Sequence, residues 1–126
     1  MSHKNLVFLR RFGFAVAGIR HALRERSFRT QLGVGVLAGF ALVVLRPDPV
    51  WWALVGVMVS LVLAAELFNT ALEALCDHLH PEPHPAIKVV KDVSAGAVLV
   101  LSLGALWVAL LMVLSVVYPG WGSFAP

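Results

Sequence analysis

The sequence predicts an all-α membrane protein, with an N-terminal amphipathic surface helix followed by three transmembrane helices. Three observations carry this. Hydrophobic residues make up 60% of the 126 positions and charged residues only 13%, whereas soluble domains are nearer half apolar and a quarter charged. The apolar residues fall in long blocks rather than on alternating faces. Lys4, Arg10, Arg11, Arg20, Arg24, Arg26 and Arg29 all precede the first of those blocks. A chain of this length makes one domain, residues 1–126.

The N-terminal arm, about residues 5–29, reads as a helix lying along the membrane surface. Phe12, Val16, Ile19 and Leu23 recur at three- and four-residue steps, and Phe28 roughly continues the series, with arginines on the other side. A basic arm can bind nucleic acid, but beside a membrane segment it reads as a headgroup-binding stretch, and one or two of its arginines could also hold phosphate. It is no signal peptide, because no small-residue cleavage site follows a short apolar core.

A spanning helix needs about 20 mostly apolar residues. The first span, about residues 31–46, is short and draws on Thr30 or Gln31 to fill the thickness. The second covers about residues 50–76 and the third about 92–118. Pro47 and Pro49, with Arg46 and Asp48, punctuate a short turn that makes the first two spans an antiparallel hairpin. His80-Pro81-Glu82-Pro83-His84-Pro85 forbids a continuous helix between the second and third. The uncharged tail from Pro119 to Pro126 suits an interface, with Tyr118 and Trp121 at headgroup level.

Lys/Arg counts in short loops set the orientation. The arm is rich in them, the first loop has Arg46, the second has Lys88 and Lys91, and the tail has none. The N-terminus and second loop are therefore expected in the cytoplasm, with the C-terminus outside and Trp51 and Trp52 in the outer aromatic belt. The single cysteine, Cys76, excludes an internal disulfide and reads as a small apolar filler.

Chemistry concentrates where the second span outlasts its apolar run. At 100° per residue, Glu66, Asn69, Glu73 and Asp77 fall within roughly 80° of one another, and Thr70 lies close by. Like charges four apart cost a few tenths of a kcal/mol, and an unpaired carboxylate at the lipid boundary costs about 1–3 kcal/mol. A helix that only had to span would not collect these costs on one face. A solvated helix end is the bland alternative, strongest for Asp77. A second polar set, Lys91-Asp92-Val93-Ser94 followed by Ala95-Gly96-Ala97, opens the third span on the same side. Lys91 can neutralise phosphate and Asp92 can orient Lys91 or a metal, while small residues admit a neighbouring helix or a substrate.

Carboxylates, an amide and a lysine at the water–lipid boundary suit phosphoryl transfer. Hard oxygen ligands hold Mg²⁺ with nucleotide phosphates, and a carboxylate can accept the proton of an attacking hydroxyl. Neither common Gly-rich phosphate loop is present. His78, His80 and His84 lack the fourth ligand and fixed spacing of a zinc clip. A small oligomeric transporter or channel with Glu66 as ion or proton site is the rival reading, and a non-catalytic assembly factor a third. Neither explains why the polar residues gather at one interface.

Glu66-Leu-Phe-Asn69-Thr-Ala-Leu-Glu73, then Asp77, Pro-Glu82-Pro-His84-Pro and Lys91-Asp92-Val-Ser-Ala-Gly96-Ala-Val, closely resembles the prokaryotic diacylglycerol kinases and the related undecaprenol kinases. The resemblance covers nearly the whole chain. It implies an ATP- and Mg²⁺-dependent lipid kinase of the plasma membrane, a homotrimer whose sites are shared between protomers. It implies Glu66 as general base supported by Asn69, and Glu73 and Glu25 as carboxylates for Mg²⁺-ATP. Further nucleotide contacts are implied at Glu82, His84, Lys91, Asp92 and either Arg10 or Arg11, and lipid-substrate contacts at Glu66, Ala95, Phe28 and Arg29. The chain departs from the family pattern in a Gly18–Glu25 spacing one residue shorter and in Phe14, where an aromatic that is often Tyr is expected. The run Val93–Ala97 leans towards the undecaprenol-kinase branch.

Overall fold

Pro49 and Pro85 each open a long helix, because proline lacks only an N–H that the first helical turn leaves unpaired. The computed structural model describes residues 3–120, and these contain no strand. Four helices follow one another: α1 (His3–Ala22), α2 (Arg26–Leu45), α3 (Pro49–Leu79) and α4 (Pro85–Val117). The last three are long and apolar enough to cross a membrane. Trp121, expected at headgroup level, lies outside the described residues.

The arm expected over about 5–29 is divided. α1 stops at Ala22, and a turn through Leu23, Arg24 and Glu25 leads into α2, with the Arg24 amide donating to His21 O and the Glu25 amide to Ala22 O. Residues on both sides of the break are packed, Ala22 at 1% exposure and Phe28 at 3%. Residues 26–29 join α2, a helix of 20 residues, about 30 Å long, close to the hydrocarbon thickness.

α2 ends on Arg46, whose backbone is left-handed (φ 48°) and whose amide donates to Leu42 O. Pro47 is buried against the turn and Asp48 precedes α3, which gives the hairpin its reversal. α3 has 31 residues and α4 has 33, so each runs to about 45–50 Å and projects beyond the hydrocarbon. α4 starts at Pro85, a full two turns before the expected start near 92, because Pro at N1 and the His84 ring, which accepts from the Ala86 amide, cap it there.

α3 packs most extensively on α4, and α2 lies against α3. At one end Leu42, Val55 and Met112 form the apolar core, with Trp51 and Val108 around them. Trp51 is thus partly internal, whereas Trp52 faces outward. Gly35 lets α2 approach α3, since a Cβ there would lie 2.9 Å from Val59 Cγ1. Outward-facing Leu37, Phe40, Leu103 and Trp107 leave an apolar exterior. The other end of the α3–α4 pair is polar, and it holds the site.

Candidate active site

Among the described residues the buried polar or charged side chains are Glu66, Asn69 and Ser94, at 4%, 8% and 9% exposure. Burying three polar groups in an apolar helix pair is costly unless they partner one another. Glu66 and Asn69 belong to the α3 stripe that also buries Val55, Val62 and Cys76, and Ser94 belongs to the α4 stripe that buries Val98. The helical spacing that aligns them turns them towards the neighbouring helix.

Two of the three are tied into a chain of hydrogen bonds. The Ser94 hydroxyl donates to Asn69 Oδ1 at 2.7 Å, and Asn69 Nδ2 donates to Glu73 Oε1 at 3.0 Å. Ser94 Oγ also lies 2.9 Å from the Lys91 carbonyl. Glu66 stays outside this chain, for its Oε2 is buried with no hydrogen-bond partner among the described residues. Asn69, expected to support Glu66, spends its amide on Glu73 and Ser94 instead. Glu73 is exposed, so the network runs from the buried helix interface to water.

The charges above the network are paired. Lys91 bridges from α4 to Asp77 near the end of α3, and Lys88 pairs with Asp92 one turn along α4. Asp92 therefore holds Lys88, and Lys91 takes its orientation from Asp77, because adjacent residues on a helix do not face each other whereas residues four apart do. Asp77 remains 65% exposed, so this pair lies at the water-facing end of the helix pair.

A basin of about 670 Å³ opens at this end, lined by the connecting loop and the start of α4. Glu82, His84, Lys91 and Asp92 line it together, with Asp77 and Lys88. Its rim is ordered locally: His80 Nδ1–H donates to the Glu82 carbonyl, and the His80 and His84 rings stand 4.9 Å apart. A narrower apolar cleft of about 160 Å³ lies between α2, α3 and α4, reaching Val62, one turn before Glu66. At its polar edge Gln31 donates to Ser102 at 3.3 Å.

The other expected residues lie as follows. Glu25 is exposed at the start of α2, its side chain making no capping bond. Phe28 is buried and Arg29 exposed on the first turn of α2, and Ala95 is exposed on α4 beside Ser94. Arg10 and Arg11 are exposed on α1, about 17–18 Å along that helix from its end at Ala22. Within one chain the basin residues and the Glu66–Asn69–Ser94–Glu73 group come together. Among the described residues no three His, Cys, Asp or Glu side chains form a metal-holding cluster. The Ser94 and Asp77 contacts escaped sequence reasoning, since both depend on the α3–α4 register, which no periodicity within one helix reveals.

Residues 13–113 match the family described as prokaryotic diacylglycerol kinase. The chain is similar to a diacylglycerol kinase of Synechocystis, 34% identical over 75% of this chain and 55% of that protein. It is similar to an undecaprenol kinase of Bacillus subtilis, 29% identical over 89% of this chain and 94% of that protein. A diacylglycerol kinase of Escherichia coli is 34% identical over 70% of this chain and 73% of that protein.

Proposed function

The chain belongs to the prokaryotic diacylglycerol kinase family of membrane lipid kinases, and we propose that it transfers the γ-phosphoryl group of ATP to the hydroxyl of a membrane lipid alcohol. The observation that carries the reading is Glu66, a buried carboxylate with an oxygen that has no partner among the described residues, set one helical turn from the Asn69–Glu73 bond. It lies 17 residues beyond Pro49, about 26 Å along α3, where a helix entering from the far side reaches the opposite hydrocarbon boundary.

The lipid hydroxyl sits at that depth and ATP arrives from water. Glu66 accepts the hydroxyl proton, the hydroxyl oxygen forms a bond to the γ-phosphorus, and the bond from that phosphorus to the bridging oxygen breaks, releasing ADP. The apolar cleft that ends at Val62 offers a place for the lipid tail below the carboxylate. The basin supplies the nucleotide side: Lys91 offers positive charge to the phosphates, with Asp92, Glu82 and His84 around it.

Mg²⁺ is commonly held by one or two carboxylates together with substrate phosphates, and exposed Glu73, with one oxygen fixed by Asn69, fits as such a ligand. Glu25 is the proposed second one. When bound, the ion offsets phosphate charge. Glu25, Arg10 and Arg11 stand on the α1–α2 side; the resemblance to the family implies a homotrimer in which neighbouring protomers share sites, and these residues are assigned to such a shared nucleotide site. The basic arm then lies on the cytoplasmic surface, with the C-terminus outside.

The test uses purified protein with γ-labelled ATP and Mg²⁺ and offers diacylglycerol and undecaprenol separately. Labelled lipid phosphate from at least one alcohol is expected, and loss of label with Glu73→Gln. A protein that conducts or transports ions but labels neither lipid would establish the transporter reading.

A further inference from the structure

The Asn69–Glu73 bond has a requirement of its own. A carboxylate only accepts, so Asn69 must present its NH₂ to Glu73, and its oxygen must then face the other way, towards α4. That oxygen is buried and needs a donor. Ser94 is the donor, at 2.7 Å, and is itself 9% exposed.

We propose that Ser94 is a positioning residue for nucleotide binding: its hydroxyl fixes the orientation of the Asn69 amide, and so the Glu73 carboxylate offered to the Mg²⁺-nucleotide. The inference rests on the lipid-kinase reading of the site and adds a residue that the sequence motif gave no role. The serine hydroxyl has one proton and two acceptors in reach, Asn69 Oδ1 and the Lys91 carbonyl at 2.9 Å. When the proton points at Asn69, the amide is held with its NH₂ towards Glu73. When it points at the Lys91 carbonyl, the serine lone pairs face Asn69 Oδ1, and the amide gains by turning over. An amide turned that way sets its oxygen against the Glu73 carboxylate and drives it off. One rotor on α4 thus links the turn that carries Lys91 to the carboxylate on α3.

Replacing Ser94 by Ala leaves a buried amide oxygen without its donor and frees the amide to turn. Threonine keeps the hydroxyl at the same branch point. The expected signature is a change in nucleotide affinity with the lipid unaffected, which a loosened helix pair would not give. Val98→Ala is the control, since it trims the same buried stripe of α4 one turn along without touching the hydrogen bonds.

The experiment measures kcat and the KM for Mg-ATP and for whichever lipid alcohol is phosphorylated, in wild type, Ser94→Ala, Ser94→Thr and Val98→Ala. The proposal expects Ser94→Ala to raise the KM for Mg-ATP about 10-fold, the loss of one bond to a charged ligand group, with the lipid KM unchanged and Ser94→Thr near wild type. Unchanged kinetics in Ser94→Ala, equal shifts in both KM values, or a threonine variant no better than alanine would overturn it. A second readout stands apart from activity. The chain has two asparagines, Asn5 and Asn69, so protein labelled with ¹⁵N-asparagine gives two side-chain NH₂ pairs. Glu73→Gln identifies the Asn69 pair by its displacement, and Ser94→Ala is expected to displace the same pair while Val98→Ala leaves it in place. If wild type phosphorylates neither lipid, the kinase reading fails on its own, and the response of the Asn69 pair alone upholds or overturns Ser94 as the group that orients it.

Discussion

Asn69 and Glu73 stand one turn apart on α3, and the amide of the first donates to the carboxylate of the second at 3.0 Å, although Asn69 is buried and Glu73 exposed. The bond crosses from the helix interface to the water. Asn69→Asp keeps the shape and removes the donor, setting a second carboxylate four residues from the first. Hydrogen bonds to charged groups contribute about 1.5–3 kcal/mol, so lipid phosphorylation is expected to fall at least about 10-fold. Initial rates at saturating lipid check this, and wild-type rates in Asn69→Asp would remove Asn69 from the site.

Lys91 and Asp77 give a second prediction, built on a difference between function and stability. Their bridge is open to water, and Asp77 is 65% exposed, so removing it should leave the unfolding midpoint almost unchanged. Asp77→Asn is expected to retain most activity, because Lys91 keeps its charge. Lys91→Met removes one of the two lysines that line the basin and should raise the KM for Mg-ATP about 10-fold or more. Equal kinetic effects from the two substitutions would mean that the pair acts as structure and not as a phosphate contact.

Gly35 and Val59 supply a test of the scaffold. A Cβ on residue 35 would sit 2.9 Å from Val59 Cγ1, closer than packed carbons allow. Gly35→Ala should cost about 1–3 kcal/mol as an overpacked contact, read by denaturant titration in micelles. Val59→Ala in the same chain should recover most of that loss, because it withdraws the atom in the way. Additive destabilisation in the double variant would show that α2 and α3 do not meet here.

These relationships were legible in the sequence to different depths. The stripe through Glu66 and Asn69 is plain from helical spacing, and the structure buries that face of α3 against α4. Proline marks the starts of α3 and α4 because its chemistry is local. The break before Arg26 is not local. Leu23, Arg24 and Glu25 are good helix formers, yet the chain turns there, between the buried Ala22 and Phe28. Ser94 was equally hidden: within its own helix it is one small polar residue among alanines and a glycine, and its part emerges only when α3 and α4 set it 2.7 Å from Asn69 Oδ1. The lysine partners followed the same logic, with Asp92 claimed by Lys88 and Lys91 left to Asp77 on the other helix.

Glu66 is the residue on which the proposed chemistry turns. Its Oε2 is buried without a hydrogen-bond partner among the described residues, an arrangement that costs stability and that a proton acceptor for the substrate hydroxyl would justify. Glu66→Gln keeps the shape and removes both the charge and the basicity. The direct measurement is lipid phosphorylation by this variant beside its unfolding midpoint. We expect the rate to fall at least about 100-fold, the scale of a lost general base, with the KM for Mg-ATP unchanged and the midpoint equal to or above wild type. A variant that phosphorylates lipid at the wild-type rate would contradict the account.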